Sequence, residues 1–425
     1  MTLKQQHSPW LWIPSLCAAE EIPMAVVMYV ALIMLMQFGA NEVMASFYAA
    51  MLFLPWVMKS YLYNMVRRSG SFRRNLHVVE SLLFLCLMGI AVYIAEAKVE
   101  VWLLFLLLLL LSCLCAWHEL LSRLYYSRVL SPHQQPLFMN TKMLSSQVVL
   151  VVTYGLLIIV AGFFEVFFRS YQKAWAMESS LVAGGFLLFL VLNVIFLPTP
   201  RINDPYRPDT LSHTVRKELH VLSRIQQKPH VLAVLLSLFL LLLPPALMFN
   251  TRVFFLFASV ETGGLGCSVQ DVGFAQGTIG VLAFSIGITL GRALARKHGD
   301  PALFWPAAIV LTLSPLSYLL MAHHPQSDSM FLLCCTTFFA QLCFGFGLTV
   351  CRPFVTYISA QRYRYTTNPL YVPLVASLMV VPMALSGWLC QTLGHPLFFT
   401  LAASLAPVAW LVTAVCKTKQ WINQL

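Results

Sequence analysis

Apolar residues in this chain come in blocks of about twenty, separated by short polar connections, and blocks of that length can cross a lipid bilayer as helices. They lie at 14–37, 43–65, 75–95, 101–127, 143–166 and 178–197, and again at 230–258, 272–292, 302–322, 329–350, 368–391 and 396–416. One long polar stretch, Pro198 to Pro229, separates the two sets of six. The pattern predicts an all-α membrane protein with 12 transmembrane helices in two six-helix bundles, over 1–197 and 230–425, joined by a linker over 198–229. Within the linker, prolines at 198, 200, 205 and 208 exclude helix. Leu211, Val215, Leu219, Leu222 and Ile225 then recur at three- and four-residue spacing, which fits a short amphipathic helix on the membrane surface or a plain spacer.

Charge fixes the expected orientation. Twenty of the 27 basic residues fall in connections on the side of the N-terminus, against three (Lys98, Arg169 and Lys173) on the other side. By the positive-inside rule both termini are cytoplasmic. The formal net charge of +11 therefore reads as topology and lipid-headgroup contact, not nucleic-acid binding, because the basic residues form no tail or aromatic-interleaved patch. Only 10% of residues are charged and 59% are hydrophobic, as expected of a chain with most of its surface in lipid. The 11 cysteines sit almost entirely in apolar blocks with no zinc-ligand spacing, so they read as packing residues.

Charges inside apolar blocks are costly and normally face a cavity or a partner. In the first block, Glu20 and Glu21 lie between Pro14 and Pro23; as neighbours they project about 100° apart on a helix, so one is expected in a cavity and the other against a neighbouring helix. The fourth block carries His118, Glu119 and Arg123, the last two being four apart and able to pair. Two readings of Arg123 stand, an internal ion pair or a binding group for an anionic substrate. Lys59 and Arg352 lie near block ends, where a long basic side chain either snorkels to the headgroups or lines a polar route. In the seventh block Pro244 and Pro245 precede Asn250 and Arg252. Proline-broken helices at matching places in the two halves are a transporter device, and Arg252 is placed to attract an anion.

Enzyme motifs are missing: there is no G-x-S-x-G elbow, phosphate-cradling loop or H-E-x-x-H, and no cofactor or metal is implied. His77, His118, His133, His323, His324 and His395 are spread over both predicted faces without an obvious cluster, which argues against a membrane-embedded transferase. Gly277 and Gly280, and Gly345 and Gly347, read as permitting close helix contact.

The stretches PWLWIPSLCAAEEIPMAVVMYV (Pro9 to Val30), FYAAMLFLPWVMKSYLY (Phe47 to Tyr63), SPHQQPLFMNTK (Ser131 to Lys142) and SGWLCQTLGHPLFF (Ser386 to Phe399) resemble the AmpG-like muropeptide permeases of the major facilitator superfamily, in a divergent Bacteroidetes-type form. The resemblance implies a monomeric bacterial inner-membrane transporter that takes up anhydromuropeptides, sugar-peptide fragments of the cell wall, together with protons. The family's E-G-x-P becomes Glu20, Glu21, Ile22 and Pro23; the aspartate usual after the second helix is matched by Asn64; the fourth-helix acids become Glu119 and Arg123. Acids are thus exchanged for neutral or basic groups, which suits an anionic cargo. Uptake of another organic anion or a lipid-linked solute, or a sensor or scaffold without transport, are the alternatives.

Overall fold

A computed structural model describes residues 8–59, 71–96, 98–131, 133–199, 230–323, 329–359, 371–416, 418 and 420. The linker-helix residues and Asn64 lie outside the described residues. Among those described, twelve apolar helices succeed one another: α1 Pro9–Gln37, α2 Glu42–Val57, α3 Phe72–Ala95, α4 Val101–Val129, α5 Gln134–Phe168, α6 Tyr171–Phe196, α7 Val231–Phe257, α8 Val269–His298, α9 Asp300–Ala322, α10 Met330–Ile358, α11 Tyr371–Leu393 and α12 His395–Val415. All but α2 are long and apolar enough to cross a bilayer. Each helix answers one of the expected apolar blocks, within a few residues at most ends. Helix is the economical solution because it satisfies every backbone N–H and C=O within one segment.

The helix ends follow local chemistry. The Asn41 side chain accepts the Met44 N–H at 2.8 Å to start α2, and Ser268 and Asp271 form a reciprocal capping box at α8. Gly299 and Gly394 adopt φ of 82° and 74° between α8 and α9 and between α11 and α12, a left-handed region that favours glycine. Proline shapes the interiors unevenly. A π-helical turn over Val26–Val30 follows Pro23 in α1, whereas α7 stays helical through Pro244 and Pro245. The expected pair of matching broken helices is therefore not found: irregular turns in the second half include a π-helical stretch over Gly273–Gly280 in α8 and a 3-10 turn over Leu348–Val350 in α10.

The chain divides into two compact units. The first comprises Met1–Gly39 and Met58–Leu211, the second Ala40–Val57 and Ser212–Leu425. In the first, α1 packs on α5 and α6, and α3 on α4 and α6. In the second, α8 packs on α10, α2 on α11, and α7 on α11 and α12, around a core that includes Leu238, Leu241, Phe304, Phe354 and Met383. Leu85, Val166, Leu232 and Phe331 point outward, as an apolar surface in contact with lipid requires.

Small residues set the closest approaches. A Cβ on Gly345 of α10 would collide with the Phe284 carbonyl of α8, and one on Gly347 would collide with Leu311 of α9, so glycine there does permit close helix contact. Backbone cannot yield as a flexible side chain would. Gly345→Ala is expected to destabilise the protein by about 1–3 kcal/mol, the usual cost of overpacking, read as a lower thermal midpoint in detergent.

Candidate functional site

The first unit gathers its buried charges where α1, α4, α5 and the segment after α2 meet. Lys59 pairs with Glu119 of α4, and Arg123, one turn further along α4, donates to the same Glu119 Oε1 at 2.8 Å. One carboxylate thus serves two cations. Lys59 is only 2% exposed, so the snorkelling reading of this residue is set aside: its ammonium is held by Glu119 inside the protein. Arg123 is partly exposed and reaches the open side of the group.

The adjacent acids of α1 reach a single neighbour. Ser146 of α5 donates to Glu21 Oε1, and Lys142, one turn earlier on α5, stands 3.8 Å from Glu20 Oε2. The expected division of labour between cavity and neighbouring helix does not occur, because the length of the glutamate side chains spans the angle between them and α5 presents Lys142 and Ser146 on one face. Glu21 Oε2 is buried without a hydrogen-bond partner. Lys142 also lies over the Tyr126 ring, 4.2 Å from its centre. The group therefore holds three acids, Glu20, Glu21 and Glu119, and three cations, Lys59, Arg123 and Lys142.

His118 belongs elsewhere, although it adjoins Glu119 in sequence. Its ring turns to the other side of α4, where Nε2 lies 3.4 Å from Glu80 Oε1 of α3. Glu80, not singled out in the sequence, is wholly buried; it accepts from Asn193 Nδ2 at 2.7 Å and faces His77 Nδ1 at 3.3 Å. The histidines are thus not all dispersed. The signal was present in the sequence: Glu80 is an acid inside an apolar block, open to the reasoning that drew out Glu119.

In the second unit Arg252 lines a narrow cleft with Phe249, Ser314, Tyr318 and Phe344. The guanidinium stacks on Phe249 at 5.1 Å, and its Nε and the Ser314 hydroxyl are buried without hydrogen-bond partners among the described residues. The other two candidates of this unit are engaged: Asn250 Nδ2 reaches the Met383 carbonyl at 3.4 Å, and Arg352 Nη1 pairs with Asp300 at 3.5 Å. Both contacts join neighbouring helices.

Breaking the shared carboxylate tests the first-unit group. Glu119→Gln leaves Lys59 buried without its counter-ion and is expected to cost about 3–5 kcal/mol. The double variant Lys59→Met/Glu119→Gln is expected to recover most of that loss in detergent thermal denaturation, since the uncompensated charge is then gone.

No protein-family model and no curated protein matches the sequence. Solved structures do. The chain superposes on the nucleoside transporter NupG with a TM-score of 0.69 at 11% identity, over 96% of this chain and 98% of that one. A D-xylose-proton symporter gives 0.65 at 14% over 95% of both. A bacterial homologue of the human lysosomal transporter Spinster, in an inward-facing state, gives 0.63 at 14% over 97% of this chain and 95% of that one. At these identities the likeness shows the fold: an all-helical membrane protein of the major facilitator type.

Proposed function

We propose that this chain, built on the major facilitator fold, is a secondary transporter that takes up an anionic cell-wall fragment of the anhydromuropeptide class with protons. The bacterial inner membrane, cytoplasmic termini and a monomeric state complete the reading. The observation that carries it is the first-unit charge group, in which three cations and three acids lie together within an apolar helical unit.

The electrostatics of that group supply a coupling scheme. With all six side chains ionised the group is neutral. A proton on the unpartnered oxygen of Glu21 leaves one positive charge in excess, and a carboxylate of the solute restores neutrality. Proton and anion are then favoured together, and either alone leaves a net charge in a poorly solvated place. Arg123, the most exposed of the three cations, makes first contact; bidentate recognition of a carboxylate suits its guanidinium. That a D-xylose-proton symporter shares the fold supports coupling to protons. The AmpG-like resemblance of the stretches Pro9 to Val30, Phe47 to Tyr63, Ser131 to Lys142 and Ser386 to Phe399 is what supports the muropeptide class.

A second reading, a sensor that binds without transporting, draws on the extent to which these charges already pair with one another. Variants separate the two. In proteoliposomes Glu21→Gln is expected to abolish gradient-driven accumulation of labelled anhydromuropeptide while sparing exchange across the membrane; Arg123→Gln is expected to weaken binding about tenfold, ~1.4 kcal/mol. Binding without either accumulation or exchange in the native protein would favour the sensor. Full accumulation by Glu21→Gln would overturn the coupling scheme.

A further inference from the structure

The first unit contains a second titratable cluster, separate from the Glu119 group and unused by the scheme above. Glu80 of α3 is 0% exposed and takes three partners: Asn193 Nδ2 of α6 at 2.7 Å and His118 Nε2 of α4 at 3.4 Å on Oε1, and His77 Nδ1 at 3.3 Å on Oε2. His118 is 1% exposed, while the His77 side chain is partly open. Asn193 in turn accepts from Ser15 of α1 at 2.7 Å. Three helices therefore meet at one carboxylate, and α1 joins them through Asn193.

Every other polar or charged group recorded near the cluster is neutral or occupied. From α4 comes Tyr125, whose hydroxyl donates to the Pro198 carbonyl at 2.5 Å; α6 presents Asn193 and α1 presents Ser15, neither of which titrates. On α3 itself Arg73 binds the Val194 carbonyl at 3.0 Å and Thr199 at 3.2 Å. Glu178, the acid of α6, lies fifteen residues from Asn193 along the same helix. Glu119, next to His118 in sequence, is turned to Lys59 and Arg123. Among the described residues no group of three His, Cys, Asp or Glu side chains is arranged to hold a metal ion.

We propose that His77, Glu80 and His118 form one proton-binding site. One shared proton makes the trio neutral, as a carboxylate, an imidazolium and an imidazole, or as a carboxylic acid between two imidazoles. A second proton leaves it positive, so the proton count sets the charge of a buried site. Geometry gives this count a reach beyond the trio. The Asn193 amide donates to Glu80 and accepts from Ser15, so the strength of the α6–α3 contact depends on whether Glu80 is ionised, and the same amide holds α1, the helix that carries Glu20 and Glu21. His77 faces Glu80 through Nδ1, and its Nε2 is buried without a hydrogen-bond partner among the described residues, so the trio keeps a ring nitrogen with unused hydrogen-bonding capacity. The inference goes beyond the transport reading and holds whatever the solute.

Two rings on one carboxylate titrate as a pair, and that coupling is what an experiment can read. The full chain, reconstituted in nanodiscs with nitrogen-15 histidine, is followed by NMR from about pH 5 to pH 8, the range in which imidazoles titrate. His77→Gln is expected to move the His118 midpoint by about one pH unit or more, a tenfold change in proton affinity, and Glu80→Gln is expected to uncouple the two rings. A purely structural role for the cluster would lower the thermal midpoint without changing the titration of the remaining ring. Unchanged His118 titration in His77→Gln would overturn the proposal. If Glu80→Gln does not fold, His77→Gln, at the open edge, still decides it. No solute enters the assay, so its failure leaves the transport reading standing, and failed transport leaves this site standing.

Discussion

The charge group of the first unit depends on one constraint: a charge taken out of water must find its opposite within reach. Glu119 meets it for two cations at once, with Lys59 held almost fully buried and Arg123 at the more open side. Removing two ions from water costs several kcal/mol each, and only close pairing offsets it. The charges of α1 follow the same rule through Lys142 and Ser146 of α5. A unit whose helices are otherwise joined by apolar packing is therefore tied internally by charge, and a change in one charge is felt by several helices.

That constraint links fold to chemistry. Apolar helices can pack in many registers, and small residues such as Gly345 and Gly347 in the second unit merely let them approach. A shared carboxylate is more selective, because its partners must arrive from particular helices at particular heights. The same holds on the far side of α4, where His118 turns away from Glu119 toward Glu80. Neighbouring residues on one helix thus serve two polar groups, and α1 takes part in both, through Glu20 and Glu21 in one and Ser15 in the other.

How much of this was legible in the sequence varies with the range of the signal. Block length located all twelve helices, since crossing a bilayer fixes length and composition together. The Glu119–Arg123 pair was legible because four-residue spacing puts two side chains on one face of a helix. Lys59 was open to two readings: its partner lies sixty residues away, and local spacing says nothing of a ring of helices. Glu80 and Asn193 were legible only as isolated polar residues in apolar blocks, because the contact that gives them meaning joins α3 to α6. The two prolines of α7 misled, since that helix stays continuous through them, while irregular turns of the second half fall in the glycine-rich start of α8 and within α10.

The account stands or falls on the movement of an anion with a proton. Purified protein in sealed proteoliposomes, given labelled anhydromuropeptide with and without an inward proton gradient, tests this most directly. The account predicts accumulation above the outside concentration only when the gradient is present, with entry of solute accompanied by entry of protons. Equal uptake with and without the gradient, or none by folded and correctly oriented protein, would contradict it.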